Sequence, residues 1–129
     1  MSILLAILTS CSPSSQEEFI TEAESHSRML VKELETIHTK EELLKKKASI
    51  RKGFTSLVHT AIQARKFQEN HLSNSSNLEL DNFEPFWGIR LKEELKRIYL
   101  LDGGRELIES YQKDALETLD LFEKTKKGD

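Results

Sequence analysis

Apolar side chains recur every three or four residues over four stretches of the chain, and polar segments separate these stretches. This spacing is typical of amphipathic α-helices, because residues three and four positions apart share one helical face. We therefore predict four helices, over about residues 15–38, 39–72, 85–101 and 105–126. The first apolar stripe contains Phe19, Ala23, Leu30, Val31, Leu34 and Ile37, with Ile20 beside it.

The other three stretches carry stripes of the same kind, which supply the rest of the expected core. The second contains Leu43, Leu44, Ile50, Phe54, Leu57, Val58, Ala61, Ile62 and Ala64. The third contains Phe86, Ile89, Leu91, Leu95, Ile98, Tyr99 and Leu101. The fourth contains Leu107, Ile108, Tyr111, Ala115, Leu119 and Phe122.

Capping residues support these helix starts. Ser14 or Ser15 can cap the first helix, and Thr39 with Glu42 three residues later forms a capping box at the second. Gly53 interrupts the second stripe and indicates either a bend or a close approach of another helix.

Turn residues mark the boundaries in the second half of the chain. A polar run, Ser73–Asn77, predicts a loop, and Pro85 suits the first turn of the third helix. Two glycines in Asp102-Gly103-Gly104 end that helix. Short connections between amphipathic helices favour an antiparallel four-helix bundle or two packed helical hairpins.

Composition supports an all-α fold and excludes several others. Ala, Glu, Lys, Leu and Arg supply 61 of 129 residues, or 47%, whereas only two Val and two Pro occur. A β-sandwich or barrel is excluded, because it needs β-branched strands and frequent turns. No strand run leads into a glycine loop, so a parallel α/β nucleotide-binding fold is excluded as well.

The first residues of the chain differ in character from the rest. Ile3–Leu8 is an uninterrupted apolar run, followed by Thr9, Ser10, Cys11 and a Ser/Pro-rich stretch. Such a run is far shorter than the roughly 20 residues of a membrane-spanning helix. An apolar segment that ends in small residues is the layout of a signal peptide.

The four residues Leu8-Thr9-Ser10-Cys11 resemble the lipobox of bacterial lipoproteins. The resemblance implies that a diacylglycerol is attached to the Cys11 thiol and that a peptidase cuts just before this residue. We therefore expect residues 1–10 to act as a signal peptide, 11–15 as a flexible tether and 16–129 as a single helical domain. Ser12 after the cysteine resembles the arrangement that sends such lipoproteins to the outer membrane, facing the periplasm.

One feature departs from this pattern, because no Lys or Arg precedes the apolar run. Either an in-frame extension lies upstream of Met1, or the segment is not a signal. In the second case it is an apolar helix turn that packs on the bundle or on a partner, in a cytoplasmic protein. The lone Cys11 in any case excludes an internal disulfide.

Charge is unevenly distributed along the chain. The whole chain has a net charge of −3, which argues against nucleic-acid binding because no basic domain is present. Residues 16–38 carry six acidic and two basic side chains, whereas residues 39–72 carry three acidic and eight basic ones. We expect the two helices to attract each other across their seam. Alternatively, the basic face of the second helix meets anionic lipid or a partner.

No catalytic or metal-binding motif stands out. His26, His38, His59 and His71 are never three or four residues apart, so no helix presents two histidine ligands on one face. No Gly-x-Ser-x-Gly motif is present, and Cys11 has no base nearby in the sequence. We therefore expect no enzymatic activity, cofactor or metal.

The most unusual local motif is Phe83-Glu84-Pro85-Phe86-Trp87, which contains the only tryptophan of the chain. Its aromatic residues Phe83, Phe86 and Trp87 either close the end of a small core or form an interface. Together with the lipobox, this motif suggests a lipid-anchored envelope protein that binds an unknown protein partner or braces an assembly. A soluble cytoplasmic adaptor or chaperone-like protein is the alternative.

Overall fold

The computed structural model describes residues 15–70 and 85–127, and these residues form five helices with no strand among them. The predicted all-α fold is therefore confirmed. The helices are α1 (Gln16–Glu35), α2 (Lys40–Lys45), α3 (Lys47–Asn70), α4 (Phe86–Tyr99) and α5 (Gly104–Lys127). The predicted sites Cys11 and Phe83, and the predicted signal peptide, lie outside the described residues.

Helices α1 and α3 form an antiparallel hairpin, joined through the short α2. Near one end of the hairpin, the rings of Phe19 and Phe67 lie 5.4 Å apart. Near the other end, the Ser49 hydroxyl donates to the Glu33 carboxylate at 2.5 Å. The start of each helix therefore lies beside the end of the other.

The second hairpin, α4 and α5, packs against the first one side by side. Helix α4 runs parallel to α1, because Trp87 contacts Glu24 at one end and Arg97 reaches Ile37 at the other. Helix α5 runs parallel to α3, where Arg51 pairs with Asp114 and Arg65 pairs with Glu123. Among the described helices, α1 does not pack on α5, nor α3 on α4. The bundle is thus two packed helical hairpins.

A polar network on α4 fastens this helix to the end of α1. Arg97 donates from Nη1 to the Ile37 carbonyl at 2.9 Å and from Nη2 to the Leu34 carbonyl at 2.7 Å. Its Nε donates at 3.0 Å to Glu94, a buried carboxylate that also accepts from Arg90 at 3.5 Å. Arg97 therefore adds a second donor to the Leu34 carbonyl, which also accepts from the Ile37 N–H at 3.0 Å, and supplies a donor to the Ile37 carbonyl just beyond α1.

The predicted second helix is not continuous, and this prediction was wrong. The helix breaks at Lys46, whose N–H donates to the carbonyls of both Glu42 and Leu43. At the break, the buried Tyr111 hydroxyl donates to the Leu43 carbonyl at 3.2 Å. A hydrogen bond from another helix leaves no trace in local spacing, so the apolar period alone predicted a single helix.

Gly53 marks a close approach of two helices and not a bend, since α3 continues through it. A Cβ atom added at this position would lie 2.5 Å from Leu30 Cδ2 on α1. The missing side chain therefore lets the backbone of α3 pack directly on Leu30, which is almost completely buried.

The predicted caps at the starts of α1 and α2 are present. Ser15 accepts from the Glu18 N–H, and Thr39 accepts from the Glu42 N–H, both at 3.2 Å. In return, the Glu42 carboxylate accepts from the His38 N–H, one residue before the usual partner in a capping box.

About half of the predicted core positions are buried, and most of the others are half-buried. Leu44, Phe86 and Ile89 are exposed, because each lies on the outward side of its own helix and no described helix covers it. Polar Ser27, Thr60 and Glu94 are buried instead. The buried hydrophobic residues are Phe19, Leu30, Val31, Leu34, Ile37, Leu43, Ile50, Phe54, Ile62, Leu91, Ile98, Ile108, Tyr111 and Ala115.

The turn between α4 and α5 depends on its two glycines. Gly103 has a φ of 72°, in the left-handed region that side chains disfavour. At Gly104, the first residue of α5, an added Cβ would lie 2.0 Å from the Ile98 carbonyl oxygen. The end of α4 and the start of α5 therefore touch through backbone atoms.

Candidate binding groove

An open groove of about 770 Å³ runs along the outer seam between α1 and α3. Its α1 side extends from His26 to Thr36, which is about 15 Å of helix. Polar and basic residues of the α2–α3 break and of the first half of α3 form the other side. The lining residues are His26, Arg28, Met29, Leu30, Lys32, Glu33, Thr36, Lys46, Ser49, Lys52, Gly53 and Ser56.

The apolar part of the groove lies where α1 and α3 approach most closely. Leu30 and Gly53 are in contact there, as described above. Met29 lines the same groove, and 62% of its surface is exposed. Because methionine is flexible and polarisable, an exposed methionine suits a surface that adapts to a bound apolar side chain.

Four cations and one carboxylate line the groove, so three positive charges remain in excess. Lys46 is the compensated cation, since its Nζ lies 3.2 Å from the Glu33 carboxylate. The hydrogen bond from Ser49 lowers the pKa of Glu33 most, Lys46 lowers it further, and partial burial opposes both. Glu33 is therefore ionised at neutral pH.

The other three cations have no carboxylate partner within residues 15–70 and 85–127. They are Arg28, Lys32 and Lys52. The Nζ of Lys32 lies 5.6 Å from the centre of the Trp87 ring, a cation–π distance. Arg28 and Lys52 are exposed on opposite helices of the same groove. The groove therefore combines an apolar floor with uncompensated positive charge.

The aromatic residues Phe86 and Trp87 at the start of α4 lie in different environments. Trp87 is half-buried against the hydrophobic core, and its backbone N–H donates to the Glu24 carboxylate at 3.2 Å. Phe86 stacks on Trp87 with ring centres 5.0 Å apart, but 56% of its surface is exposed. Trp87 thus packs as part of the core, and Phe86 is the exposed member.

Substitutions of these two residues should have different effects on stability. We expect Trp87→Ala to lower the free energy of unfolding by about 2 kcal/mol, since a half-buried ring loses part of the 3–5 kcal/mol of a core position. Phe86→Ala should lower it by less than about 1 kcal/mol. Urea unfolding followed by circular dichroism measures both. Equal losses would contradict the placement of Trp87 in the core.

A second groove, of about 540 Å³, lies between the start of α1 and the second half of α3. Phe19, Ile20 and Leu57 are among its apolar lining residues. The buried Thr60 hydroxyl also lines it and has no hydrogen-bond partner among the described atoms. Helix α4 begins beside Glu24, in the middle of α1, so α4 does not cover the start of α1.

Within residues 15–70 and 85–127, the histidines form no cluster of metal ligands. The Nε2 atom of His26 lies 3.5 Å from the Glu22 carboxylate, His38 and His59 are exposed, and His71 lies outside the described residues. In the described part of the chain, no three His, Cys, Asp or Glu residues are grouped as metal ligands. No helix in residues 15–70 and 85–127 is long and apolar enough to cross a membrane.

The groove was not predicted as a site, although one of its signals was visible. The basic face of the second predicted helix is visible in the sequence as Lys45–Lys47, Arg51 and Lys52. The contribution of Arg28 and Lys32 was hidden, because both lie on a helix whose net charge is negative. Their spacing of four residues on α1 was the signal that could have shown a local basic patch.

No protein-family model matches the sequence, and no curated protein or solved structure matches the chain at a significant level.

Proposed function

We propose that this chain is a small, non-catalytic lipoprotein of the bacterial cell envelope that binds a protein partner at the membrane surface. The observation that carries the proposal is the motif Leu8-Thr9-Ser10-Cys11, in which the only cysteine of the chain occupies the lipid-attachment position. A lipid on Cys11 would anchor the helical bundle. Mature lipoproteins of this kind typically carry more than one acyl chain, and stable attachment needs more than one.

The position of the first helix supports this arrangement. Ser15 caps α1, so the folded domain begins four residues after Cys11. Four residues span at most about 14 Å, so a lipid on Cys11 would hold the start of α1 close to the membrane surface. Ser12 after the cysteine supports sorting to the outer membrane, with the bundle in the periplasm.

The intact mass of the protein purified from its native host tests the anchor. We expect a chain that begins at Cys11 and carries additional acyl mass, in the membrane fraction. A Cys11→Ser variant should keep the mass of the unmodified chain and move to the soluble fraction. An unmodified full-length wild-type chain in the cytosol would overturn the proposal.

The second candidate is a soluble cytoplasmic adaptor whose apolar N-terminal segment packs on the bundle or on a partner. Two observations favour it: the apolar run lacks a preceding Lys or Arg, and an apolar groove lies beside Gln16. In that case, the mass measurement gives an intact, unlipidated N-terminus. The same experiment therefore distinguishes the two candidates.

A further inference from the structure

From the charge and shape of the α1–α3 groove, we infer that it binds an acidic amphipathic helix of a protein partner. The inference rests on the partner-binding part of the proposed function and identifies the surface and the kind of partner. Three observations carry it: the uncompensated cations, the exposed apolar wall and the direction of the groove.

The cations provide the charge complementarity. Arg28 and Lys52 are exposed on the two sides of the groove and pair with no carboxylate among the described residues. Elsewhere on α3, Arg51 and Arg65 are paired with carboxylates of α5. An acidic segment in the groove would provide the carboxylates that the fold itself does not.

The shape of the groove favours a helical segment. It runs between two antiparallel helices over about 15 Å, a length that matches about ten residues of a third helix. A helix that binds in such a groove places its apolar side chains on the floor and its charged side chains along the rims. Met29, with 62% of its surface exposed, provides the accessible apolar side chain, whereas Leu30 in the same groove is almost completely buried.

The position of the groove argues for a protein ligand and not for an anionic membrane. The lining of the groove between Arg28 and Thr36 begins twelve residues after Gln16, about 18 Å along α1 from the tethered end. The first turn of α1 carries Glu17 and Glu18, which anionic lipids would repel.

Met29 provides a direct reporter of binding, because Met1 and Met29 are the only methionines of the chain. The protein is the full chain carrying Cys11→Ser, with isotope-labelled methionine methyl groups and the Met29 signal assigned by Met29→Leu. The probe is a designed helical peptide with Leu on one face and Glu on the others. A matched peptide carries Lys in place of every Glu, and phosphatidylglycerol vesicles represent the membrane.

We expect the acidic peptide to shift the Met29 methyl signal, and the Lys peptide and the vesicles to leave it unchanged. Arg28→Glu combined with Lys52→Glu should raise the Kd for the acidic peptide at least about tenfold, which corresponds to about 1.4 kcal/mol. The control, Lys92→Glu with Lys113→Glu, makes the same change in net charge at two exposed lysines outside the groove. Its Kd should stay within about twofold of the starting protein.

Four results would overturn the inference: no Met29 shift with the acidic peptide, equal binding of both peptides, a shift caused by the vesicles, or an equal loss in the control variant. None of these four results depends on whether the protein from its native host is lipidated. A lipidated chain with an inactive groove therefore contradicts only the inference. An unlipidated cytosolic chain whose groove binds the peptide contradicts only the anchor.

Discussion

Replacing Arg97 by methionine is expected to lower the free energy of unfolding by about 3 kcal/mol. The substitution keeps an unbranched side chain but removes every donor of the guanidinium. The carbonyls of Leu34 and Ile37 lose their links to α4, and the buried Glu94 loses its closest donor. The buried Glu94 carboxylate then keeps only the more distant Arg90, at 3.5 Å, and a buried charge with too few donors is more destabilising than the pair is stabilising.

Urea unfolding monitored by circular dichroism measures this loss, with Arg90→Met as the matched control. Arg90 is also an arginine of α4 that contacts Glu94, but its other partners, Glu35 and Glu93, are exposed or half-exposed carboxylates. The control should lose about 1 kcal/mol or less. Combining Arg97→Met with Glu94→Gln should restore part of the stability, because the buried charge is then removed. Equal losses for Arg97→Met and Arg90→Met would show that the hydrogen bonds from Arg97 to the Leu34 and Ile37 carbonyls contribute nothing.

Gly104→Ala is also expected to lower the free energy of unfolding by about 3 kcal/mol, the upper end of the usual range for overpacking. The added Cβ would lie 2.0 Å from the Ile98 carbonyl oxygen, and a backbone atom cannot rotate away as a side chain can. Relief requires a shift of α4 against α5. Ile98 and Ile108, both fully buried, would lose packing in such a shift.

The neighbouring glycine supplies the control for this prediction. In Gly103→Ala, the added Cβ would lie 3.2 Å from the flexible side chain of Lys40, which can move away. The substitution nevertheless places a side chain on a residue with a φ of 72°. We expect a loss of about 1 kcal/mol from this backbone strain. If thermal unfolding shows Gly103→Ala to be the more damaging change, the tight contact at Gly104 is not the feature that limits the turn.

The helices were predictable because their signals are local. The apolar stripes, the Ser15 and Thr39 caps and the glycine turn before α5 each lie within a few residues of the boundary that they define. The break at Lys46 was not predictable in this way. It coincides with a hydrogen bond from Tyr111, which is 68 residues away from Leu43 in the sequence.

The candidate groove was only partly predictable, for a related reason. The apolar period identified Leu30, and the interruption at Gly53 indicated either a bend or a close approach of another helix, without showing which helix was the partner. The net charge of a helix combines side chains on faces that contact different neighbours, so it hides a local patch of charge on one face. On α1, the carboxylates of Glu24 and Glu35 contact α4, whereas Arg28 lines the groove. Lys32 lines the groove and also lies over the Trp87 ring of α4.

The contact between Trp87 and Glu24 makes the only tryptophan of the chain a natural fluorescence probe of how the two hairpins unfold. Its indole lies at the junction of α1 and α4, with Lys32 over the ring. Tryptophan emission therefore follows separation of the hairpins, whereas circular dichroism follows loss of helix. Coincident transitions would show that the hairpins unfold as one cooperative unit, and an earlier fluorescence transition would reveal an intermediate with separated, still helical hairpins.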